Sequence, residues 1–186
     1  MKRIRRLIWR YIFRKSPDEI ELASLIEKGL TVGTNTTINA GFSIDSAWAW
    51  LIKIGNDVTI STNVAILAHD ASTNVARQST VLGKVEIGDN VFIGTRTIIL
   101  CGTTIGNNVI VGAGSVVTGN IPSDSVYAGV PARRICSIEE FKEKYRKLRE
   151  TRPDFSTIHP WNKWNESTDE ERQLMAQQLS DGIGFV

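Results

Sequence analysis

Two histidines and two cysteines are the side chains of this 186-residue chain best suited to attack or deprotonate a reacting group, and their surroundings differ. His69 stands in Ile66-Leu67-Ala68-His69-Asp70, directly after an aliphatic run. An imidazole titrates near neutrality, so one placed within about 3 Å of a hydroxyl can take its proton. A lone histidine is equally a surface or capping residue, and its neighbourhood must decide. Asp70 could orient the ring, bond the local backbone or meet a partner subunit, although adjacent strand residues point to opposite faces. His159, in Ile158-His159-Pro160-Trp161, reads as structural or exposed. Cys101 and Cys136 have no metal-ligand spacing and form no disulfide framework. Cys101 falls just after Ile99 with no histidine in its own repeat, so it reads as a compact turn residue and not as an acyl carrier.

The elements that position His69 follow from a six-residue repeat. Ile87, Ile93, Ile99, Ile105, Val111 and Val117 recur at that spacing, and Ile54, Ile60, Ile66 and Val32, Ile38, Ile44 repeat it upstream. Six matches the helical period poorly but is a multiple of two, so each unit predicts a short strand with one inward aliphatic, closed by a bend. Gly55, Gly88, Gly94, Gly106 and Gly112 follow the aliphatic, with Asn56, Asn90 and Asn107 nearby. These residue types adopt positive φ at the lowest cost and are expected to form the bends. Val91, Thr97, Thr103, Val109 and Ser115, two positions before the aliphatic, are compact enough for a corner. Three strands would close a triangular coil that stacks Ile87 on Ile105, Ile93 on Val111 and Ile99 on Val117, which is a solenoid.

The repeat breaks twice. Four extra residues intrude between Ile44 and Ile54, in Ser46-Ala47-Trp48-Ala49-Trp50. Between Ile66 and Ile87 the phase slips again, and Ser72 and Gln78 stand where aliphatics belong. The stretch 68–84 is therefore expected to leave the prism as a loop with His69 at its root, and loops held by a rigid scaffold are where catalysis concentrates.

With Val85-Glu86-Ile87-Gly88-Asp89-Asn90-Val91-Phe92-Ile93-Gly94, Val111-Gly112-Ala113-Gly114-Ser115-Val116-Val117-Thr118 and Ala128-Gly129-Val130-Pro131-Ala132-Arg133, roughly residues 30–150 resemble the hexapeptide-repeat acyltransferases. The nearest branch is that of O-acetyltransferases acting on sugars and surface polysaccharides, similar to the maltose and galactoside acetyltransferases. The resemblance implies a mainly β fold, a left-handed parallel β-helix that departs from the right-handed crossover rule, assembled as a homotrimer with active sites between neighbouring prisms. It implies that His69 is the catalytic base and that acetyl-CoA is the co-substrate in a direct transfer needing no metal. Thr95, Ala113 and Thr118 match positions lining the coenzyme groove, and Arg133, assisted by Arg134, matches an arginine that meets the phosphates. Asn39, Ser43, Asp45, Trp48 and Trp50 fall on the coils where this family builds its acceptor pocket, with Asp70 beside His69; the two tryptophans equally suit a hydrophobic plug at the insertion. The pattern departs from the family at Gly119, where lysine is common, at Cys136, near which a basic residue is missing, and at Phe92, where tryptophan is frequent. The asparagine that grips the sugar in the galactoside enzymes aligns with Gly41, which implies an acceptor other than a simple galactoside. An N-acetyltransferase of an amino-sugar nucleotide would use the same base, and a non-catalytic β-helix scaffold would keep the ladders alone. A hexapeptide-repeat carbonic anhydrase needs three histidines around zinc and is excluded by the count of two.

Composition agrees: 41% hydrophobic and 23% charged residues with a net charge of +2 exclude disordered, collagen-like and disulfide-stapled chains. No run of about 18 apolar residues marks a membrane span and no secretory leader is visible, so the expected compartment is the cytoplasm. Residues 1–15 carry Lys2, Arg3, Arg5, Arg6, Arg10, Arg14 and Lys15, with Ile4, Leu7, Ile8, Tyr11 and Ile12 at helical spacing. This basic amphipathic helix would pack on the body or touch an anionic inner-membrane surface. Nucleic acid is not an expected partner, because the remainder is net acidic and shows no such motif. Ser16-Pro17-Asp18-Glu19 opens a helix to about 28, with Gly29 as its stop. Ser137-Ile138-Glu139-Glu140 opens another to about Glu150, and Ser167 with Glu170 a last one to about Ser180. Three segments are expected: a helical 1–29, a β-helix 30–135 and a helical extension 136–186.

Overall fold

Inward aliphatics six apart close the chain into triangular coils. The computed structural model describes residues 16–77, 79–156, 167–180 and 182–186. β1 (Thr31–Val32), β4 (Ile52–Ile54), β9 (Val85–Ile87) and β12 (Thr104–Ile105) form one parallel sheet. β2 (Thr37–Ile38), β5 (Thr59–Ile60), β10 (Val91–Ile93), β13 (Val109–Val111) and β15 (Ser125–Ala128) form the second, and β16 (Arg133–Ser137) joins its end antiparallel. β3 (Ser43–Ile44), β6 (Ala65–Ile66), β11 (Ile98–Ile99) and β14 (Val116–Val117) form the third. The fold is mainly β, a left-handed parallel β-helix. Its core consists of three columns: Val32–Ile54–Ile87–Ile105, Ile38–Ile60–Ile93–Val111 and Ile44–Ile66–Ile99–Val117. Thr97, Thr103 and Ser115 fill the corners with no exposed surface.

The bends differ from expectation. None of the glycines that follow the aliphatics has a positive φ; the left-handed residue comes two positions later, at Asn35, Asp57, Asn90, Arg96, Asn108 and Gly114. The glycines are required by closeness instead. A Cβ on Gly55 would sit 2.5 Å from the Gly88 carbonyl oxygen and 2.7 Å from its carbon, because successive coils meet backbone to backbone at this position. Asn56 and Asn107 lie in the bends, beside the left-handed residue, without a positive φ of their own. Their Oδ1 atoms accept from Thr34 N at 2.9 Å and from Asp89 N at 2.8 Å, stitching one coil to the next. Gly55→Ala is therefore expected to destabilise the fold by about 1–3 kcal/mol. Gly119→Ala, whose Cβ would meet nothing within 4 Å, is expected to be neutral, as denaturant midpoints would read.

Exposed sheet edges need covers. The Pro17–Glu27 helix supplies one: Ser16 and Glu19 cap each other's backbone amides, Gly29 at φ 100° ends the turn, and Leu22, Leu25 and Leu30 join the core. Residues 139–186 form a separate compact unit. It contains most of a helix over Ile138–Thr151, in which the Arg146 and Lys147 hydrogen bonds hold the exposed Glu143 carboxyl at about 2. Its second helix, Asp169–Gln178, is capped by Thr168 with Glu171. That is one position later than the Ser167/Glu170 pair, because Ser-Thr-Asp-Glu-Glu fits the capping pattern in two registers. Segments 1–15 and 157–166, which hold the basic stretch expected to be helical and His159, lie outside the described residues. Among the described residues, no helix is long and apolar enough to cross a membrane.

Candidate active site

Both breaks in the repeat leave the prism at the same corner, between the third sheet and the first, on adjacent coils. Ile44 and Ile66 stack, so the residues that follow them also stack: the Asp45 amide donates to the Ile66 carbonyl at 3.0 Å. The first coil turns outward just after Asp45 and the second just after Ala68, about 4.8 Å below, which is one strand spacing. His69 then begins a short hairpin, β7 (His69–Asp70) against β8 (Val81–Leu82), with Gly83 N returning to Ala68 O at 3.0 Å.

This geometry places His69 Nδ1 on Asp45 Oδ2. The same carboxylate accepts from Ala68 N at 3.2 Å and from Ala47 N at 3.3 Å. The Asp45 side chain is 3% exposed, whereas that of His69 is 36% exposed. A carboxylate only accepts, so Nδ1 carries the hydrogen, and in the neutral imidazole Nε2 then keeps its lone pair. The arrangement can remove a proton from a group that approaches the open side of the ring.

Asp70 does not orient the ring. Its Oδ1 accepts from Ser72 N at 2.8 Å, and that bond holds the exposed carboxyl below its ordinary value. Asp45, expected in the acceptor pocket, is the carboxylate that meets the ring. Its sequence signal is a charged residue directly after an inward aliphatic and at a break, where Leu67 and Leu100 stand in the following coils. Asn39 directs its Nδ2 to Ile60 O at 3.0 Å, so that amide serves the next coil. Trp48 packs half-buried against the core, with the Trp50 ring 5.3 Å away.

The residues expected at the coenzyme fall into two groups on either side of the third sheet. Thr118, Arg133 and Arg134 line one pocket of about 320 Å³ together with Gly119, Asn120 and Tyr127. Arg133 Nη1 donates to Ala132 O at 3.0 Å, and both arginines are exposed. Thr95 and Ala113 lie at the corner between the second and third sheets, where Gly114 N donates to Thr95 O at 2.8 Å. Among the described residues, no group of three or more His, Cys, Asp or Glu side chains could hold a metal ion.

Residues 79–119 match the family described as bacterial transferase hexapeptide (six repeats). Galactoside O-acetyltransferase of Escherichia coli K12 is 31% identical over 168 residues, which cover 77% of this chain and 83% of that protein. The chain belongs to the hexapeptide-repeat acetyltransferases. This acetyltransferase is also 40% identical over 96 residues to the Escherichia coli K12 protein named WbbJ for O-acetyl transfer in lipopolysaccharide biosynthesis, across 45% of this chain and 49% of that one. A solved galactoside acetyltransferase in complex with coenzyme A superimposes with a TM-score of 0.54 at 28% identity, over 76% of this chain and 83% of that one. Within the acetyltransferase, the His69–Asp45 pair and the Thr118–Arg134 pocket leave the same prism corner on different coils.

Proposed function

We propose that this acetyltransferase moves an acetyl group from acetyl-CoA to a sugar hydroxyl during assembly of a surface polysaccharide, with His69 as general base and Asp45 as the residue that positions it. The observation that carries the reading is the imidazole held by a buried carboxylate through Nδ1 while its other edge stays open. Nε2 takes the hydroxyl proton as the sugar oxygen attacks the thioester carbonyl. The tetrahedral intermediate then collapses, breaking the carbon–sulfur bond, and His69 returns the proton to the departing thiolate. The relatives that act on galactosides support an oxygen acceptor, and the likeness to a protein named for lipopolysaccharide biosynthesis supports a polymer precursor. Acetyl-CoA consumption measured with maltose, galactosides, UDP-amino sugars and extracted polysaccharide precursors tests this. Transfer to the precursors is the expected outcome, and acetylation of the amino sugars alone would replace the hydroxyl by an amine.

The coenzyme's phosphates suit the Arg133–Arg134 pocket, since a guanidinium offers a rigid fork of donors. Phosphates remote from the thioester bind equally in ground and transition states. Arg133→Ala is therefore expected to raise KM for acetyl-CoA by about tenfold with kcat little changed, and an unchanged KM would move the phosphates elsewhere. The active unit in this reading is a homotrimer. The outward residues of the first sheet are polar (Thr31, Lys53, Glu86, Thr104), whereas Phe92 and Ile110 of the second and Ile98 and Val116 of the third present apolar surface. Two such faces per chain suit two neighbours. Sedimentation should give three times the 20.6 kDa chain mass, and a monomer would remove this part of the reading.

A further inference from the structure

Two features beside the His69–Asp45 pair take no part in the transfer step. One is a cavity of about 320 Å³ lined by Ile20, Glu21, Ser24, Leu25 and Lys28 of the N-terminal helix and its cap and by Ser46 of the first break. The other is Trp50, a residue 57% exposed, with its ring beside Trp48.

Both belong to the first break in the repeat, which runs from Ser46 to Trp50. Ser46 directly follows Asp45, so the cavity wall is one residue from the carboxylate that holds His69. Lys28, which also lines the cavity, directly precedes Gly29, where a Cβ would sit 2.8 Å from Trp50 Cβ. The Trp50 backbone is clamped between that helix end and the fully buried Ala49, in a single turn of 3-10 helix over Ala49–Leu51. Its ring is therefore presented to solvent by a fixed backbone. An indole is usually buried, and its electron-rich face attracts the polarised C–H edges of a sugar ring. The cavity supplies the complementary chemistry: two hydroxyls from Ser24 and Ser46, an acceptor in Glu21 and a donor in Lys28, with opposite charges that favour neither an anion nor a cation.

We propose that this cavity and Trp50 form a second glycosyl subsite, so that the acceptor is an oligosaccharide with one unit at His69 and the next held against Trp50. The inference rests on the reading of His69 as a base toward a sugar hydroxyl. The experiment measures transfer from acetyl-CoA by wild type, Trp50→Ala, Trp50→Phe and His69→Ala. The acceptors are glucose, galactose, mannose and N-acetylglucosamine, each as the free sugar and as its linear di- and tetrasaccharide. Wild type is expected to favour the tetrasaccharide over the free sugar at least tenfold in kcat/KM. Trp50→Ala should cut that ratio by tenfold or more, mainly through KM, and Trp50→Phe should keep most of it. A wild-type enzyme without preference for length, or a ratio unmoved by Trp50→Ala, overturns the subsite while leaving the base reading intact. No transfer to any of these sugars likewise overturns the subsite, and transfer that survives His69→Ala at every length overturns the base reading and the subsite with it.

Discussion

Replacing His69 with alanine is expected to lower kcat for acetyl transfer by ~10²–10⁴-fold, the usual range for loss of a positioned general base. The side chain is 36% exposed and stands at the root of a hairpin outside the prism, so no column of the core loses a member. Asp45 keeps two backbone donors, Ala68 N and Ala47 N, after the imidazole is gone. Its carboxylate therefore remains hydrogen-bonded, and the unfolding midpoint should move by only a few degrees. KM for acetyl-CoA should hold, because Thr118, Arg133 and Arg134 lie on later coils. Stopped-time assays of coenzyme A release beside a melting curve separate these quantities. Activity within threefold of wild type in a normally melting variant would remove His69 from the chemistry.

The repeat was legible because a solenoid needs one inward aliphatic per strand, and nothing else in the chain competes with that demand. Ile87 over Ile105 and Ile99 over Val117 follow from spacing alone. The root of the loop was legible too, since a break in phase must leave the prism. The partner of His69 was harder to see. Asp70 is adjacent in sequence, yet its carboxylate turns to Ser72, while Asp45 reaches the ring through the stacking of Ile44 on Ile66. That contact depends on coil register across an insertion, and only the length of the break encodes it. The glycines misled for a related reason. Gly55 looks like a bend but is dictated by the backbone of Gly88 on the neighbouring coil, a contact that no local propensity reports.

Asp45→Asn tests whether the carboxylate acts on the base or merely fills the corner. The amide has nearly the same volume, and its Oδ1 can still accept from one of the two backbone donors that Asp45 serves. Its NH₂, however, now donates toward Nδ1, which becomes the acceptor and drives the ring hydrogen to Nε2. A protonated Nε2 cannot take the proton of a sugar hydroxyl. By analogy with histidine–carboxylate pairs in hydrolases, the expected loss is about 10²–10⁴-fold in kcat. One backbone N–H also loses its partner, at a cost of about 1–3 kcal/mol in stability, so the melting curve should shift measurably. A corner-filling role would show as that shift alone. A positioning role predicts that kcat falls while KM for acetyl-CoA stays within twofold, and that the imidazole ¹⁵N spectrum exchanges its protonated nitrogen from Nδ1 to Nε2. A variant that melts lower yet turns over within threefold of wild type, with its ring hydrogen still on Nδ1, would leave Asp45 as packing only.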